Sequence, residues 1–344
     1  MNKSNKKYRN LLISLVIFFI GASVGFSVRG VISKAKNKQD KSAYIERHEG
    51  QQKYTNPLLA CDVADDVVSA PEILPFKEKI EQYVNTQIDK HLVTQVGVYY
   101  RELNDGYWFS IGDSEKFIPA SMRKVPLMIA LLKQAETESN LLDRSVTFDL
   151  SNDYNLNQNI KPSQTLVFGS KYTVRDLIFR MIAYSDNNAF TFLTKIVDST
   201  QLDRVYSNLR LLNPRAIKDD EYLSVQTYES FFRILYNASY VSRSSSEWAL
   251  EILSKSEFRT GLVSGVPPEV KVSHKFGEKS DAIDGTVQLH DCGIVYYPAH
   301  PYLLCVMSKG ANFEVLDDVI AGISQISFTE IDRQHRSHQE KSNR

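Results

Sequence analysis

The strongest structural constraint in this chain is the stretch 122–132, in which every residue except Arg123 and Lys124 is apolar. Its apolar side chains cover nearly the whole circumference of a helix, which is typical of a helix buried on all sides. The sequence therefore predicts this helix in the middle of a folded domain. Ser121 and Lys124 stand at its start, and side chains three positions apart share one helix face. We expect the amine of Lys124 to reach the hydroxyl of Ser121.

A hydroxyl beside an amine can support nucleophilic chemistry. A desolvated lysine loses its proton and then acts as a base toward the serine. The amino end of the helix also favours negative charge on a nearby oxygen. The same residues fit an ordinary helix start, with Ser121 as N-cap and Lys124 on a solvated face. Because Ser4 and Lys7 repeat the spacing in a basic tail, this motif alone does not decide between the two interpretations.

Composition excludes several classes of partner. The chain has 344 residues, of which 42% are hydrophobic and 24% charged, enough for one large domain or two small ones. Its formal net charge is zero, so we expect no nucleic-acid partner. Three cysteines and seven histidines match no metal-binding spacing. We therefore expect no metal and no cofactor.

The amino terminus contains an apolar segment, 11–28, with no charged residue. Eighteen residues of helix reach about 27 Å, enough to cross the hydrocarbon of a membrane. Four basic residues precede the segment and four follow it within ten residues, so charge does not fix its orientation. We expect a basic tail at 1–10, a transmembrane anchor at 11–29, a polar linker at 30–70 and a single-pass cell-membrane protein whose bulk lies outside the cytoplasm. Cleavage of the segment as a signal sequence, which would release a secreted protein, is the alternative.

Between residues 71 and 328 the sequence predicts strands at both ends and helices between them. The first part contains a helix at 72–90 and strands at 93–100 and 107–111, joined by an Asn-Asp-Gly turn. A mostly helical lobe covers about 140–255, with helices starting near Tyr172, Asn187, Ser224 and Ser245. Strands at 270–276, 286–297 and 301–308 and a helix at 313–326 close the domain. We expect the polar tail, 329–344, to be frayed.

Two cysteines lie on the arms of the last predicted hairpin. With the turn at residue 299 or 300, Cys292 and Cys305 would be diagonal neighbours. This arrangement favours two packed thiols over a disulfide.

Two further polar motifs follow Ser121 along the chain. Ser185 begins a Ser-Asp-Asn triplet at a predicted helix–helix junction, where capping and turning are the ordinary roles of such residues. Lys275 begins a Lys-Phe-Gly triplet at the end of a predicted strand. Together the ordered motifs are Ser121-x-x-Lys124, Ser185-Asp186-Asn187 and Lys275-Phe276-Gly277.

This ordered set resembles the signature of the penicillin-recognising serine hydrolases, and class A β-lactamases in particular. The resemblance covers roughly residues 70–328. It implies an α/β (α+β) fold, in which an antiparallel β-sheet is flanked by helices and a mostly helical lobe is inserted. It also implies a site between the sheet and the lobe.

The resemblance also implies roles for individual residues. Ser121 would be the acylated nucleophile and Lys124 its activating amine. Ser185 would pass a proton to the leaving nitrogen, Asn187 would hydrogen-bond the amide of the substrate's side chain and the lysine, and Lys275 would hold the substrate carboxylate. Gly277 completes the third motif, and the backbone N–H groups of Ser121 and Glu278 would form the oxyanion hole. Asp186 would tie its loop together.

The chain departs from the family pattern at two places. Phe276 stands where the family has a hydroxyl that helps to bind the substrate carboxylate, which puts carboxylate recognition in doubt. The family's deacylating glutamate lies in an E-x-x-L-N loop, whereas the residue at the matching interval, Glu221, is followed by Tyr-Leu-Ser-Val. Glu221 is thus either the deacylating base or a surface residue before an N-cap at Ser224.

Three functions remain open from the sequence. The first is a membrane-anchored hydrolase that opens β-lactam amide bonds through Ser121. The second is a D-alanyl-D-alanine peptidase of the penicillin-binding type, which acts on peptidoglycan stem peptides. The third is a non-catalytic module that binds β-lactams or muropeptides.

Overall fold

The structure is a computed structural model, in which residues 44–63, 73–104, 106–211 and 221–342 are described. The chain divides into two units, and nearly all described residues belong to the one formed by Ile45–Asp62 and Ala70–Arg344. The predicted basic tail and the predicted anchor at 11–29 lie outside the described residues. Among the helices that are described, none is long and apolar enough to cross a membrane.

The described strands form one large sheet and two small ribbons. In chain order they are β1 (Tyr44–His48), β2 (Leu58–Val63), β3 (Val93–Glu102), β4 (Trp108–Ile111), β5 (Ser145–Thr147), β6 (Lys171–Thr173), β7 (Val272–Ser280), β8 (Val287–Val295) and β9 (Tyr302–Gly310). The large sheet is antiparallel throughout, in the order β4-β3-β9-β8-β7. The pairs β1-β2 and β5-β6 form the ribbons. The sheet thus joins strands from both ends of the domain, as predicted, and β7 is an edge strand.

Helices precede, separate and follow these strands. They are α1 (Ile73–Asp89), α2 (Lys124–Ala135), α3 (Val174–Ala183), α4 (Asn187–Leu193), α5 (Ser199–Asn208), α6 (Val225–Tyr236), α7 (Arg243–Leu253) and α8 (Phe313–Ser342). Short 3₁₀ helices occupy Ala120–Arg123 and Val263–Gly265. The lobe at about 140–255 is mostly helical, as predicted, but it also contains β5, β6 and an irregular segment from residue 148 to 170.

The sheet is covered on both faces because side chains alternate along each strand. Val98 and Leu304 belong to one apolar cluster together with residues of α1 and α8. Tyr99 and Leu303, their sequence neighbours, belong to a second cluster with residues of α2 and α6. The antiparallel sheet flanked by helices is therefore confirmed.

The central helix is buried on all sides, as its composition predicts. Every side chain from Lys124 to Leu132 is buried. The 3₁₀ helix Ala120–Arg123 leads directly into α2, so Ser121 lies one turn before the start of the α-helix.

The predicted linker is wrong over the part that the structure describes, residues 44–63. Strands β1 and β2 pair with each other there, and the segment between them binds the helical lobe. Residues 51–57, which we name the strap, dock on α6 and α7 of the helical lobe. The backbone N–H groups of Tyr54 and Thr55 each donate to Glu247, over 2.9 Å, and that of Asn56 donates to the Tyr236 carbonyl over 2.8 Å. A polar composition suggested a solvated linker, whereas here the polar groups are used to bind the lobe.

The prediction of two free thiols is also wrong, because Cys292 and Cys305 form a disulfide. The two cysteines are directly opposite each other in the β8-β9 register. That register pairs Val295 with Tyr302 and centres the turn between Pro298 and Ala299, earlier than predicted. The shift converts a diagonal pair into a facing pair, which a disulfide can join.

The closing helix is longer than predicted. It continues through Ser342 instead of ending at Ile326, so the tail at 329–344 is not frayed over most of its length. Ile331 is buried, and Glu330 accepts a hydrogen bond of 2.6 Å from Lys79 on α1. These contacts hold a polar stretch of helix on the domain.

Candidate active site

Ser121 lies in a tightly held turn. The residue before it, Ala120, has a φ of +47°, a conformation that costs energy in any residue but glycine. The segment that leads into the turn is fixed at Ile118, whose N–H donates to Gln288 Oε1 over 2.9 Å. The Ile118 carbonyl accepts a hydrogen bond of 3.0 Å from His290 Nε2. On the other side of Ser121, the Tyr228 hydroxyl donates to the Met122 carbonyl over 2.9 Å.

Lys124 reaches Ser121, as its spacing predicts. Its Nζ donates to Ser121 Oγ over 2.9 Å, to Ser185 Oγ over 3.0 Å and to the Ser185 carbonyl over 2.6 Å. The side chain is buried, with 1% of its surface exposed. One amine therefore joins the hydroxyl groups of two serines that are 64 positions apart in the sequence (185 − 121 = 64).

Lys275 completes the cluster from the sheet side. Its Nζ donates to Ser185 Oγ over 3.0 Å and to the Phe276 carbonyl over 2.9 Å. Ser185 itself is fully buried and has a φ of +54°, so its backbone is strained at the junction of α3 and α4. The structure thus brings Ser121, Lys124, Ser185 and Lys275 into one hydrogen-bonded chain.

Burial changes the protonation of both lysines. Desolvation lowers the pKa of Lys124 well below its usual value, and repulsion from Lys275 lowers it further. Desolvation also lowers the pKa of Lys275, to about 7, against the attraction of Asp291 and Glu278. A neutral Lys124 amine next to a serine hydroxyl can accept the proton of that hydroxyl.

Gly277 allows β7 to approach the turn 118–122, which we name the Ser121 turn. A Cβ at this position would lie 2.8 Å from the Met122 side chain and 3.0 Å from the Pro119 carbonyl oxygen. Only a residue without a side chain fits this contact. The backbone of Glu278, the next residue, consequently lies beside the turn that carries Ser121.

The three residues of the Ser-Asp-Asn triplet make different contacts. Asp186 caps α4, accepting from the N–H groups of Asn188 and Ala189, and therefore ties the loop together. The predicted bond between Asn187 and Lys124 is not the one the structure shows, because the Asn187 amide donates to the Tyr154 carbonyl over 3.2 Å.

Glu221 is held in a different network from Ser121. Its Oε1 accepts a hydrogen bond of 2.8 Å from Gln288 Nε2 and one of 2.8 Å from Lys309 Nζ, an ion pair. Gln288 also accepts a hydrogen bond from the N–H of Ile118. Glu221 therefore supports the Ser121 turn indirectly, by holding Gln288 in place. This placement matches the structural interpretation of Glu221 better than the catalytic one.

Phe276 is buried away from solvent. The Phe276 ring stacks on the Phe258 ring, with 4.4 Å between the two centroids. Lys275 Nζ lies 3.9 Å from the centroid of the Phe276 ring. This side chain supplies an apolar wall to the lysine and no hydroxyl for a substrate carboxylate.

Sequence reasoning missed four residues that support the site. Gln288 and His290 alternate on β8, so their common face could have been read from the sequence. Burial lowers the pKa of His290 to about 4, which keeps the ring neutral while Nε2 donates to Ile118. Asn155 and Gln158 lie in the irregular segment and carry no comparable signal; Asn155 binds both Asp186 and the N–H of Asn187.

The described residues contain no group of three or more His, Cys, Asp or Glu side chains that could hold a metal ion. The polar centre of the site is instead made of two hydroxyls and two amines.

The sequence matches the family model of the beta-lactamase enzyme family over residues 75–331. The chain belongs to the beta-lactamase enzyme family. The resemblance drawn from the three motifs is thereby confirmed. A search of curated proteins finds no match to the chain.

Solved structures of this family share the fold. PBP-A, solved as the acyl-enzyme complex of a point mutant with penicillin G, is 19% identical, with a TM-score of 0.62, over 76% of this chain and 97% of PBP-A. A beta-lactamase from Chitinophaga pinensis is 21% identical, with a TM-score of 0.62, over 74% and 98%. A class A beta-lactamase from Bacteroides cellulosilyticus is 19% identical, with a TM-score of 0.64, over 75% and 99%. At such identities the similarity establishes the fold of this beta-lactamase family member. Its substrate has to be inferred from the residues of its own site.

Proposed function

We propose that this chain is a serine hydrolase that forms an acyl-enzyme through Ser121 with substrates of the β-lactam class. The observation that carries the proposal is the hydrogen-bonded chain from Ser121 Oγ through Lys124 Nζ and Ser185 Oγ to Lys275 Nζ. A nucleophile, a base with a lowered pKa and a proton path lie within direct contact of each other.

In the proposed mechanism, Lys124 takes the proton of Ser121 as Oγ attacks the amide carbonyl. The backbone N–H groups of Ser121 and Glu278 stabilise the oxyanion. The tetrahedral intermediate collapses as the C–N bond breaks, and Ser185 gives its proton to the leaving nitrogen. Ser185 regains a proton from the neighbouring lysines, which leaves the acyl group on Ser121 until water removes it.

A penicillin-binding peptidase, which cleaves D-alanyl-D-alanine stem peptides and is acylated by β-lactams for long periods, is the second candidate. It is favoured by Glu221, whose carboxylate is engaged by Lys309 and Gln288. A class A enzyme needs a carboxylate that orients the deacylating water, and Glu221 is not arranged for it.

We also propose that the protein is anchored in the cell membrane by the segment 11–29, with its enzymatic domain outside the cytoplasm. The buried disulfide between Cys292 and Cys305 supports this location, since disulfides persist in oxidising compartments. Peptidoglycan, the substrate class of the second candidate, lies on the same side of the membrane.

Labelling of the full chain with a fluorescent penicillin tests the proposed function. We expect one label per chain, with the adduct mapped to Ser121 by mass spectrometry of peptides. Ser121→Ala should lose the label, whereas Ser114→Ala, which changes an exposed serine seven positions earlier, should keep it. An unlabelled wild-type chain, or a label that survives Ser121→Ala, would contradict the proposal. Release of D-alanine from a stem peptide would favour the second candidate.

A further inference from the structure

An exposed cation lies directly beside the nucleophile. Arg123 is exposed to solvent, one position before the buried Lys124, and Ser121 is itself partly exposed. Arg123 Nε donates to the Ala120 carbonyl over 3.4 Å. That oxygen lies about 2.8 Å from Ser121 Cα across a planar peptide, so Arg123 Nε is within about 6.2 Å of Ser121 Cα. Because the guanidinium faces solvent, a molecule held on Ser121 can reach it.

An aromatic ring of the helical lobe lies against the same guanidinium. Arg123 Cζ is 5.7 Å from the centroid of the Phe190 ring, within the range of a cation–π contact. Asn187 is three positions before Phe190 in α4, so the two side chains share one face of that helix. Both side chains are partly exposed. The guanidinium is thus in contact with the Ser121 turn and with an accessible face of α4.

This cation has no counter-charge among the residues that the structure describes. Burial raises the pKa of the neighbouring Tyr206 hydroxyl, and Arg123 only opposes that rise, so the hydroxyl stays neutral. An arginine itself remains charged at every pH at which proteins are studied. Other arginines of the helical lobe have carboxylate partners, namely Arg175, Arg180 and Arg233. Arg123 therefore presents a permanent positive charge that is available to a ligand.

The charges around Lys124 indicate which part of a substrate meets Arg123. Burial lowers the pKa of Lys124 most, and repulsion from Lys275 and from Arg123 lowers it further. Arg123 is not among the groups that shift the pKa of Lys275. Lys275 is bonded to Ser185, which faces the leaving nitrogen in the proposed mechanism. The part of the substrate beside Arg123 is then the acyl part, which stays on Ser121 after the C–N bond breaks.

We propose that Arg123 binds an anionic group, such as a carboxylate, in the acyl part of the substrate and thereby selects substrates that carry one. This inference rests on the proposed function, because it concerns the substrate that acylates Ser121. A carboxylate suits the guanidinium, since its two oxygens can accept from two parallel N–H groups. It also supplies the counter-charge that the described residues do not provide.

The test compares three penicillins that share one nucleus and a benzyl side chain, whose α-carbon is unsubstituted or carries a carboxylate or an ammonium group. The second-order rate constant for acylation of Ser121 is measured by intact-protein mass spectrometry for the full chain at low ionic strength. We expect the carboxylate compound to react at least about tenfold faster than the ammonium compound, since attraction of one and repulsion of the other add. Added salt should reduce this ratio, because exposed charges are screened.

Substitutions of Arg123 separate its charge from its shape. Arg123→Gln, which removes the charge, should reduce the ratio of the carboxylate to the ammonium rate to below about threefold. Arg123→Lys keeps the charge and should keep most of the ratio, whereas Arg123→Glu should invert it. Since Arg123 also lowers the pKa of Lys124, its loss changes the rates of all three compounds together, and the ratio cancels this change.

Arg175→Gln is the matched control. Arg175 is also a partly exposed arginine on an aromatic ring, with its Cζ 5.2 Å from the centroid of the Trp248 ring. It pairs with Asp143, however, and is not among the groups that act on the two site lysines. Its substitution should leave the ratio of the carboxylate to the ammonium rate unchanged. Thermal unfolding of each variant verifies that the fold persists.

The outcomes separate the inference from the proposed function. Acylation of Ser121 without a preference for the carboxylate compound, or with a preference that survives Arg123→Gln, would overturn the inference and leave the proposed function standing. Absence of any adduct on Ser121 with all three compounds would instead overturn the proposed function.

Discussion

Two polar networks meet at the Ser121 turn, and they consist of different chemical groups. On the side of Ser121, two hydroxyls and two amines contact one another, and the amines have lowered pKa values. On the side of Ile118, Glu221 forms an ion pair with Lys309. Glu221 also accepts a hydrogen bond from Gln288, which in turn binds the N–H of Ile118. The first network can move protons, whereas the second holds backbone in place.

The two networks show that the buried polar groups of this chain are arranged for acylation and not for deacylation through Glu221. Under the proposed function, acylation needs a base with a lowered pKa, and the buried Lys124 of the first network would supply it. The candidate carboxylate for deacylation belongs to the second network, where it is part of an ion pair. We therefore expect acylation of Ser121 to be faster than hydrolysis of the acyl-enzyme, because Glu221 does not assist the hydrolysis.

The largest effect is expected from Lys124→Met, which removes the base of the first network. Loss of a general base lowers a rate by up to about 10⁴-fold, and we expect acylation of Ser121 to fall by about 10³-fold. Stability should be unchanged or higher, because an apolar side chain replaces a buried amine. Stopped-flow labelling measures the rate and thermal unfolding the stability.

The control for this substitution is Lys133→Met at the other end of α2, where Lys133 pairs with Glu136. It should leave acylation within about twofold of wild type, since an exposed ion pair contributes little. Equal losses in both variants would mean that Lys124 acts through the helix and not as a base.

A smaller loss of acylation rate is expected from Gly277→Ala, which pushes β7 away from the Ser121 turn. The added methyl would meet the Pro119 carbonyl and the Met122 side chain, so the turn must shift. Because sub-ångström misplacement reduces catalysis, we expect acylation to slow by about tenfold. Gly310→Ala on β9 is nearly as crowded but meets Leu316 and Leu92 instead. It should alter stability and leave acylation unchanged; the same loss of acylation in Gly310→Ala would refute the account of Gly277.

The charge of Lys275 should appear as a dependence of stability on pH. Burial lowers its pKa from 10.5 to about 7, so above pH 7 the folded chain releases a proton that the unfolded chain keeps. The unfolded state then binds more protons, and the free energy of unfolding rises with pH between 7 and about 10. Relative to Lys275→Met, the wild type should therefore gain stability across this window. Urea unfolding at several pH values measures the difference, and a flat difference would show that Lys275 is not buried as a titrating group.

The sequence predicted the parts of the site that depend on local geometry. Ser121 and Lys124 are one turn apart, so helix periodicity alone brings their side chains together. Ser185 and Lys275 were found by motif order, which reflects the family fold. Helix α2 and the strands at both ends of the domain followed from periodicity and composition. That those strands join in one antiparallel sheet was implied by the resemblance.

Long-range contacts account for what the sequence did not predict. Glu221 meets Lys309 across 88 positions, and the strap meets Glu247 across more than 190. Glu330 meets Lys79 across 251 positions, which extends α8 beyond its apolar part. The disulfide was missed because a small error in the position of a turn changes which strand residues face each other.

The pre-steady-state reaction of the full chain with nitrocefin, measured beside Ser121→Ala and Glu221→Gln, decides whether acylation outpaces deacylation. We predict a burst of one equivalent in the wild type followed by slow turnover. Ser121→Ala should show no burst. Glu221→Gln should keep the burst, and its slow rate should change by less than about twofold, since only a partly exposed ion pair is altered. Rapid steady turnover in the wild type that Glu221→Gln abolishes would contradict the account, because it would make Glu221 the deacylating base.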